Sequence, residues 1–308
     1  MQSKYVERLV TSKNHERDYL RPNCIWMTSR DIRLAWGPGL IDQLRQPAED
    51  IIPASVQSAK YIAWIKTMVS PDFPEEQIQS YVCQYLAVNY NAFWPQKDES
   101  RVMYSIRVPW LSHHVVRQST NGEYCCPVTT KPDLAFGYRA QSIKKLSLLS
   151  DKPKAEKLEQ TYWGMAFPYL IMEFKVNGKE HVGHNQLLGA GSSVLNALNK
   201  ISMDNPCVIC ALVQVASVTF YLMWSAPGVT GETSLEPEVE PKVLRAYKMS
   251  QFARFYLDEE GQYKDCLMLM SQIHAWGKGL RLNSMEKAIL IKISKTAKFK
   301  EQSLILYN

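Results

Sequence analysis

Within "YLIMEFKVNGKEHVGHNQ" (169–186), Glu173 and Lys175 stand two positions apart in a run that otherwise suits a buried strand. Residues i and i+2 of a strand share a face, so Leu170, Met172, Phe174 and Val176 fall on one side. Ile171, Glu173, Lys175 and Asn177 fall on the other. The apolar side is expected to meet a helix layer and the charged side a polar cleft. An earlier stretch, "TTKPDLAFGY", supplies Asp133 directly after Pro132, whose missing N–H is tolerated at a strand start. On neighbouring strands, Asp133 and Glu173 are hard oxygen donors suited to Mg²⁺ or Mn²⁺, with Lys175 beside them to steer or activate a water. Carboxylates for a divalent cation, a positive charge against a developing phosphorane and an activated water are what phosphodiester hydrolysis requires. The plain alternative is an edge strand carrying a solvent-exposed cross-strand ion pair.

The elements that must position these groups can be read from periodicity. "VQSAKYIAWIKTMV" (56–69) and "PEEQIQSYVCQYLAVNY" (74–90) carry apolar residues at three-to-four spacing and predict amphipathic helices. The second opens with Pro74 and two glutamates, as a helix N-terminus prefers. From "RVMYSIRV" (101–108) the period changes to two, and "EYCCPV" and "DLAFGYRA" continue as short strands. Residues 141–160 are charged and Pro-interrupted, an excursion from the sheet. After "YLIMEFKV" come a turn at Asn177-Gly178 and a helix over 181–201, whose Leu187, Leu188, Val194, Leu195, Leu198 and Ile201 form one packing stripe. Residues 227–241 form an acidic, Pro-rich loop, and the remainder reads as two helices broken near Gly277 and Gly279. Residues 1–50 read as helices and loops.

Pro132-Asp133 and Glu173-Phe174-Lys175 together resemble the two halves of the PD-(D/E)XK nuclease motif, the restriction-endonuclease-like superfamily. More narrowly, "PDLAFGY", "IMEFKV", "HNQLLGAGSSVLN" and "IHAWGKGLRL" resemble uncharacterised fungal PD-(D/E)XK nuclease-like proteins, over roughly residues 70 to 295. The resemblance implies an α/β fold with an αβββαβ core, a central mixed sheet flanked by helices, and helical additions at both ends. It implies an N-terminal helical extension over 1–70 and a nuclease-like domain over 71–308, with insertions at 141–160 and 227–241. It also implies that Asp133 and Glu173 bind metal and that Gln186, on the following helix, orients Lys175 or contacts a phosphate. A first-helix glutamate completes the metal site, and both Glu75 and Glu76 are candidates; either also suits a helix N-terminus with no chemical role. The family's glutamine is often followed four residues later by Tyr, where Ala190 stands here.

Composition bounds these readings. The chain has 308 residues, 46% hydrophobic and 21% charged, which suits a globular protein with a real core. A net charge of +6 has the right sign for a nucleic-acid partner, and part of the excess lies in the stretch ending "KISKTAKFK". Seven cysteines, with Cys125 and Cys126 adjacent, make a poor disulfide framework and point to reduced thiols. With no apolar leader in "MQSKYVERLVTSKN", an intracellular protein, nuclear or cytoplasmic, is expected. The uncharged "CVICALVQVASVTFYLMWSA" (207–226) is long enough to span a bilayer. Its β-branched and aromatic content and polar Gln214, Ser217 and Thr219 fit two buried strands instead, so no membrane is expected.

Several motifs compete with this site. The thiols of "CVIC" would point to opposite faces of a strand, with no second pair to complete a zinc site. "HVGH" (181–184) and "HH" (113–114) lack acidic or thiol partners nearby, and "GAGSS" (189–193) sits inside a helix pattern with no following Lys. No Ser occupies a G-x-S-x-G elbow. Trp110, Tyr138, Tyr162 and Trp163 stack bases if they line the cleft, and are otherwise core. The leading expectation is a metal-dependent nuclease using Mg²⁺ or Mn²⁺ on nucleic acid, DNA ahead of RNA. The alternatives are a catalytically silent nuclease-like fold that binds nucleic acid or protein, and an interaction protein using the loop at 227–241.

Overall fold

The β-rich stretches assemble into one seven-stranded mixed sheet in the computed structural model, which describes residues 25–28, 39–44, 62–63, 65, 74–82, 101–110, 130–143, 164–227 and 245–306. The strands are β1 (Ile25–Met27), β2 (Val102–Ile106), β3 (Leu134–Arg139), β4 (Met165–Phe174), β5 (Cys207–Val213), β6 (Ser217–Pro227) and β7 (Arg245–Tyr256). They lie side by side in the order β1-β7-β6-β5-β4-β3-β2. Pairing is parallel for β1 with β7 and for β4 with β5, and antiparallel elsewhere. The helices are α1 (Gly39–Leu44), α2 (Glu75–Val82), α3 (Glu180–Lys200), α4 (Glu260–Trp276) and α5 (Leu282–Leu306). The class is therefore α/β, and its described elements run α2-β2-β3-β4-α3-β5 through the region of interest.

A parallel β4–β5 pair needs a crossover, and α3 supplies it. Its buried Leu187, Leu188, Val194, Leu195 and Leu198 realise the expected stripe. The helix lies unusually close to the sheet. A Cβ at Gly183 would stand 2.3 Å from Leu212 Cδ1, and one at Gly191 would stand 2.3 Å from Met223 Sδ. The small residues of 189–193 thus serve packing and form no phosphate loop. On the opposite face α4 brings His274 against Phe136, with ring centroids 4.8 Å apart. With helices on both faces, all ten residues of β4 are buried. Each large aliphatic or aromatic side chain so buried contributes roughly 1.5–3 kcal/mol.

Two expectations change. Residues 25–27 form strand β1 at the sheet's edge, within a region read as helices and loops; three residues are too few to show a period. The chain does not break near Gly277: α4 continues through a π-helical turn, Gly277–Arg281, into α5. Gly277 is there for close approach, since a Cβ would meet the Tyr169 ring at 2.7 Å. Trp110 and Tyr138, at 1% and 0% exposure, take the core alternative and cannot stack bases. The uncharged run 207–226 forms β5 and β6, and among the described residues no helix is long and apolar enough to cross a membrane. Most of the helix expected at 56–69, the strand "EYCCPV", His113 and His114, Tyr162 and Trp163, most of the 141–160 excursion and nearly all of the 227–241 loop lie outside the described residues.

Candidate metal and phosphodiester site

The C-terminal end of β4 fixes the site. Phe174 closes the strand, and the Lys175 backbone N–H still donates to Val213 O at 2.9 Å, so Lys175 keeps the strand's direction. Glu173 pairs in register with Leu212 of β5, which places both side chains on one face. That face is the one carrying α3, because a Cβ at Gly183 would lie within 3.1 Å of Lys175 Cγ as well as against Leu212. The alternative of an edge strand with a solvent-exposed ion pair is therefore overturned, and the polar surroundings of Glu173 and Lys175 are a buried cluster. Both lie beneath a helix, at 1% and 3% exposure, because the polar face also had to be covered to complete the sheet's burial.

Asp133 arrives from the mouth of β3. Its Oδ2 accepts the Phe174 N–H at 2.9 Å and lies 3.4 Å from Lys175 Nζ. The 40-residue separation from Glu173 is closed by antiparallel pairing of β3 and β4. From α2, Glu75 Oε1 reaches Lys175 Nζ at 3.1 Å. Glu76 turns away, 71% exposed, with Oε1 3.8 Å from Arg107 Nη1. Helical spacing explains the choice: Gln79, one turn on from Glu75, donates from Nε2 to Asp133 O at 3.2 Å, so the Glu75–Gln79 side faces the site. Lys175 Nζ also donates to Phe174 O at 2.6 Å and stands 3.6 Å from Glu173 Oε2. The structure thus joins Asp133, Glu173, Lys175 and Glu75, and leaves Glu76 outside. Gln186 lies on α3, and its Oε1 is buried without a hydrogen-bond partner; no hydrogen bond joins it to Lys175.

The electrostatics follow from three carboxylates around one ammonium. Burial first, then the Asp133 carboxylate, push Glu173 well above the usual carboxylate range, against the pull of Lys175. Burial pulls Lys175 down, but Glu173, Asp133 and Glu75 outweigh it and hold its proton more tightly than usual. Glu173 Oε2, buried and 3.6 Å from the ammonium, makes no hydrogen bond. With its proton held more tightly than usual, Glu173 shares the site's negative charge with Asp133 and Glu75, and a proton or another cation can balance it.

The donor set fits a hard divalent cation in one form. Among the described residues no group of three His, Cys, Asp or Glu side chains is placed to enclose a metal. Mg²⁺, however, is commonly held by one or two carboxylates, with water and substrate phosphate completing its shell. Asp133 and Glu173 supply two carboxylates of the type such a cation takes.

The chain matches a domain family of unknown function. The match, to the family described as domain of unknown function DUF7924, covers residues 75–206. It begins at the first residue of α2 and ends just before β5, so it contains Glu75, Glu76, Asp133, Glu173, Lys175 and Gln186. No curated protein matches the chain.

Two contributors escaped the sequence reading. Arg107, just beyond β2, places Nε 3.3 Å from Asp133 Oδ1, and its N–H donates to Asp133 O at 3.1 Å. Its signal was a cation closing the alternating run "RVMYSIRV". Gln79 was legible as the i+4 neighbour of Glu75. The other chemistry-bearing motifs have structural partners. His184 Nε2 pairs with Tyr221 Oη at 2.7 Å, and the Cys207 and Cys210 thiols are buried and pushed up by burial, Cys207 to about 12.

Proposed function

We propose that this chain is a metal-dependent nuclease of PD-(D/E)XK type that hydrolyses phosphodiester bonds of nucleic acid with Mg²⁺ or Mn²⁺, DNA being the leading substrate ahead of RNA. The observation that carries the reading is the convergence of Asp133, Glu173, Lys175 and Glu75 at one point, where α2 and the ends of β3 and β4 meet, with three carboxylates around one ammonium. The order α2-β2-β3-β4-α3-β5 supports the αβββαβ core that the motif implies.

In this reading Asp133 and Glu173 hold the cation. The cation supplies positive charge against the developing phosphorane and acidifies nearby water. Lys175 offsets the carboxylates with its charge, and would orient the attacking water with the donor it now gives Asp133 once the cation takes that carboxylate. The water oxygen forms a new P–O bond, an ester P–O bond breaks, and one water proton ends on the departing alkoxide. Gln79 and the Phe174 N–H keep Asp133 oriented. The expected result is cleavage of plasmid or oligonucleotide by the purified protein with Mg²⁺ or Mn²⁺, abolished by chelator and by Asp133→Ala. Intact DNA and RNA with both metals would sink the proposal.

One observation favours the competing reading, a fold that binds without turnover. Lys175 Nζ itself sits where the carboxylates converge, and an ammonium can balance them with no metal. Calorimetric titration with Mn²⁺ separates the two. Binding that disappears in both Asp133→Ala and Glu173→Ala supports the nuclease; no binding supports the silent module.

A further inference from the structure

Lys175 is poorly placed to meet substrate. It is 3% exposed, and its ammonium is surrounded by Glu75, Asp133, Glu173 and Phe174 O. A phosphodiester approaching this site needs another cation, and Arg107 has the position. Its side chain keeps 35% of its exposure while its Nε stands 3.3 Å from Asp133 Oδ1.

The backbone at Arg107 has been held in a costly state to put it there. Its φ is +49°, in the left-handed region that L residues avoid at a cost of roughly 1–2 kcal/mol. The N–H bond to Asp133 O pins that turn directly after β2. Strained non-glycine positions of this kind concentrate at functional sites. The guanidinium contacts are also weak: one hydrogen bond at 3.3 Å, and one approach of 3.8 Å to Glu76, a side chain 71% exposed. A planar guanidinium makes shorter, paired bonds to a phosphate.

Granting the nuclease reading above, on which this rests, we propose that Arg107 is the substrate-contacting cation of the site. It exchanges Asp133 Oδ1 and Glu76 for the phosphodiester backbone of a nucleic acid, and leaves Asp133 Oδ1 to the divalent cation. Glu76 is then the resting counter-ion of Arg107, which gives the second glutamate of α2 a role distinct from that of Glu75.

The test uses the full chain, a fluorescent oligonucleotide and Ca²⁺ in place of Mg²⁺ to hold turnover off, with binding measured by anisotropy over a range of salt. Arg107→Gln and Arg107→Gly are expected to weaken binding about tenfold or more. Their salt slopes should fall by about one. Arg107→Lys restores the slope but only part of the affinity, because a point charge replaces a fork. Arg107→Gly relieves the left-handed strain, so it should melt no lower than the parent and separate binding from folding. Mn²⁺ titration of Arg107→Gln should show affinity no weaker than the parent, since a competitor for Asp133 Oδ1 has gone.

Unchanged oligonucleotide affinity and salt slope in the Gln and Gly variants would overturn the proposal. So would loss of Mn²⁺ binding with Arg107, which would make it a brace for Asp133. Should the Gln variant fail to fold, the Gly and Lys variants decide. A parent that binds and cuts while its Arg107 variants behave identically defeats this inference alone. A parent that binds neither Mn²⁺ nor oligonucleotide defeats the nuclease reading and this inference with it.

Discussion

Two buried cations mark the two ends of β4, and they keep different company. At the C-terminal end, Lys175 faces three carboxylates. Towards the other end, Arg281, 2% exposed, donates to Phe167 O at 2.9 Å and Pro168 O at 2.8 Å, and approaches Cys207 O and Tyr138 Oη. Its guanidinium carbon also stands 5.6 Å and 5.5 Å from the rings of Tyr138 and Trp276. Its partners among the described residues are carbonyls, a hydroxyl and aromatic faces. Carbonyls offer partial charges that engage the two terminal nitrogens of the guanidinium without forming any surplus, while its Nε is buried without a hydrogen bond. Carboxylates offer full charges, and three of them around one ammonium leave negative charge to be met by a proton or another cation. The Arg281 end braces an irregular part of β4, where Phe167 has φ +47° and the β3 register shifts. The Lys175 end carries the surplus charge on which the proposed function rests.

The contrast predicts opposite outcomes when each end is damaged. Glu173→Gln and Lys175→Met should each lower kcat by about 10²–10³-fold. Glu173→Gln should leave the melting temperature level or raised, because removing one of three carboxylates around one ammonium relieves surplus negative charge and the burial of an acid. Activity within tenfold of the parent in either variant would remove the catalytic assignment. Arg281→Met should do the reverse. Stranding several buried acceptors should lower the unfolding free energy by about 3 kcal/mol or more, read by urea titration, with activity per folded molecule retained. A folded but inactive Arg281→Met would mean that the two ends are coupled.

A smaller effect sharpens the comparison by pH. Glu173's folded pKa lies above its unfolded value, so between the two the unfolded chain releases its proton first, and stability falls as pH rises. His274, near the Arg281 end and bonded to Tyr169 Oη, is pulled down to about 3 by burial and then by Lys278. Its folded pKa lies below its unfolded value near 6.5, so its contribution is present above that value and is lost as pH falls towards 3. Thermal melts across pH should therefore show Glu173→Gln flattening the rising-pH side of the stability curve and His274→Gln the falling-pH side. Unchanged curves would deny the burial of either group.

Much of the site was legible because its chemistry is local. Pro132-Asp133 and Glu173-Phe174-Lys175 each lie within a few residues, and a two-residue period fixes which side chains share a face. The helix of α3 and the pair β5–β6 were equally readable, since long apolar patterns carry their own period. Glu75 and Glu76 could not be separated by type; the bond from Lys175 Nζ to Glu75 and the packing of Gln79 against Asp133 O selected Glu75. Arg107 carried almost no local signal, since its place depends on a left-handed turn held by a carbonyl 26 residues away.

The sequence by itself determined the donor chemistry: hard oxygens, one ammonium two residues from a carboxylate, and strands able to carry them. Only the tertiary structure decided that the charged face of β4 lies under α3 rather than open to solvent, and which cation remains exposed beside Asp133. The reason is that a strand's period tells which residues share a face, whereas what covers that face depends on contacts between elements distant in the chain.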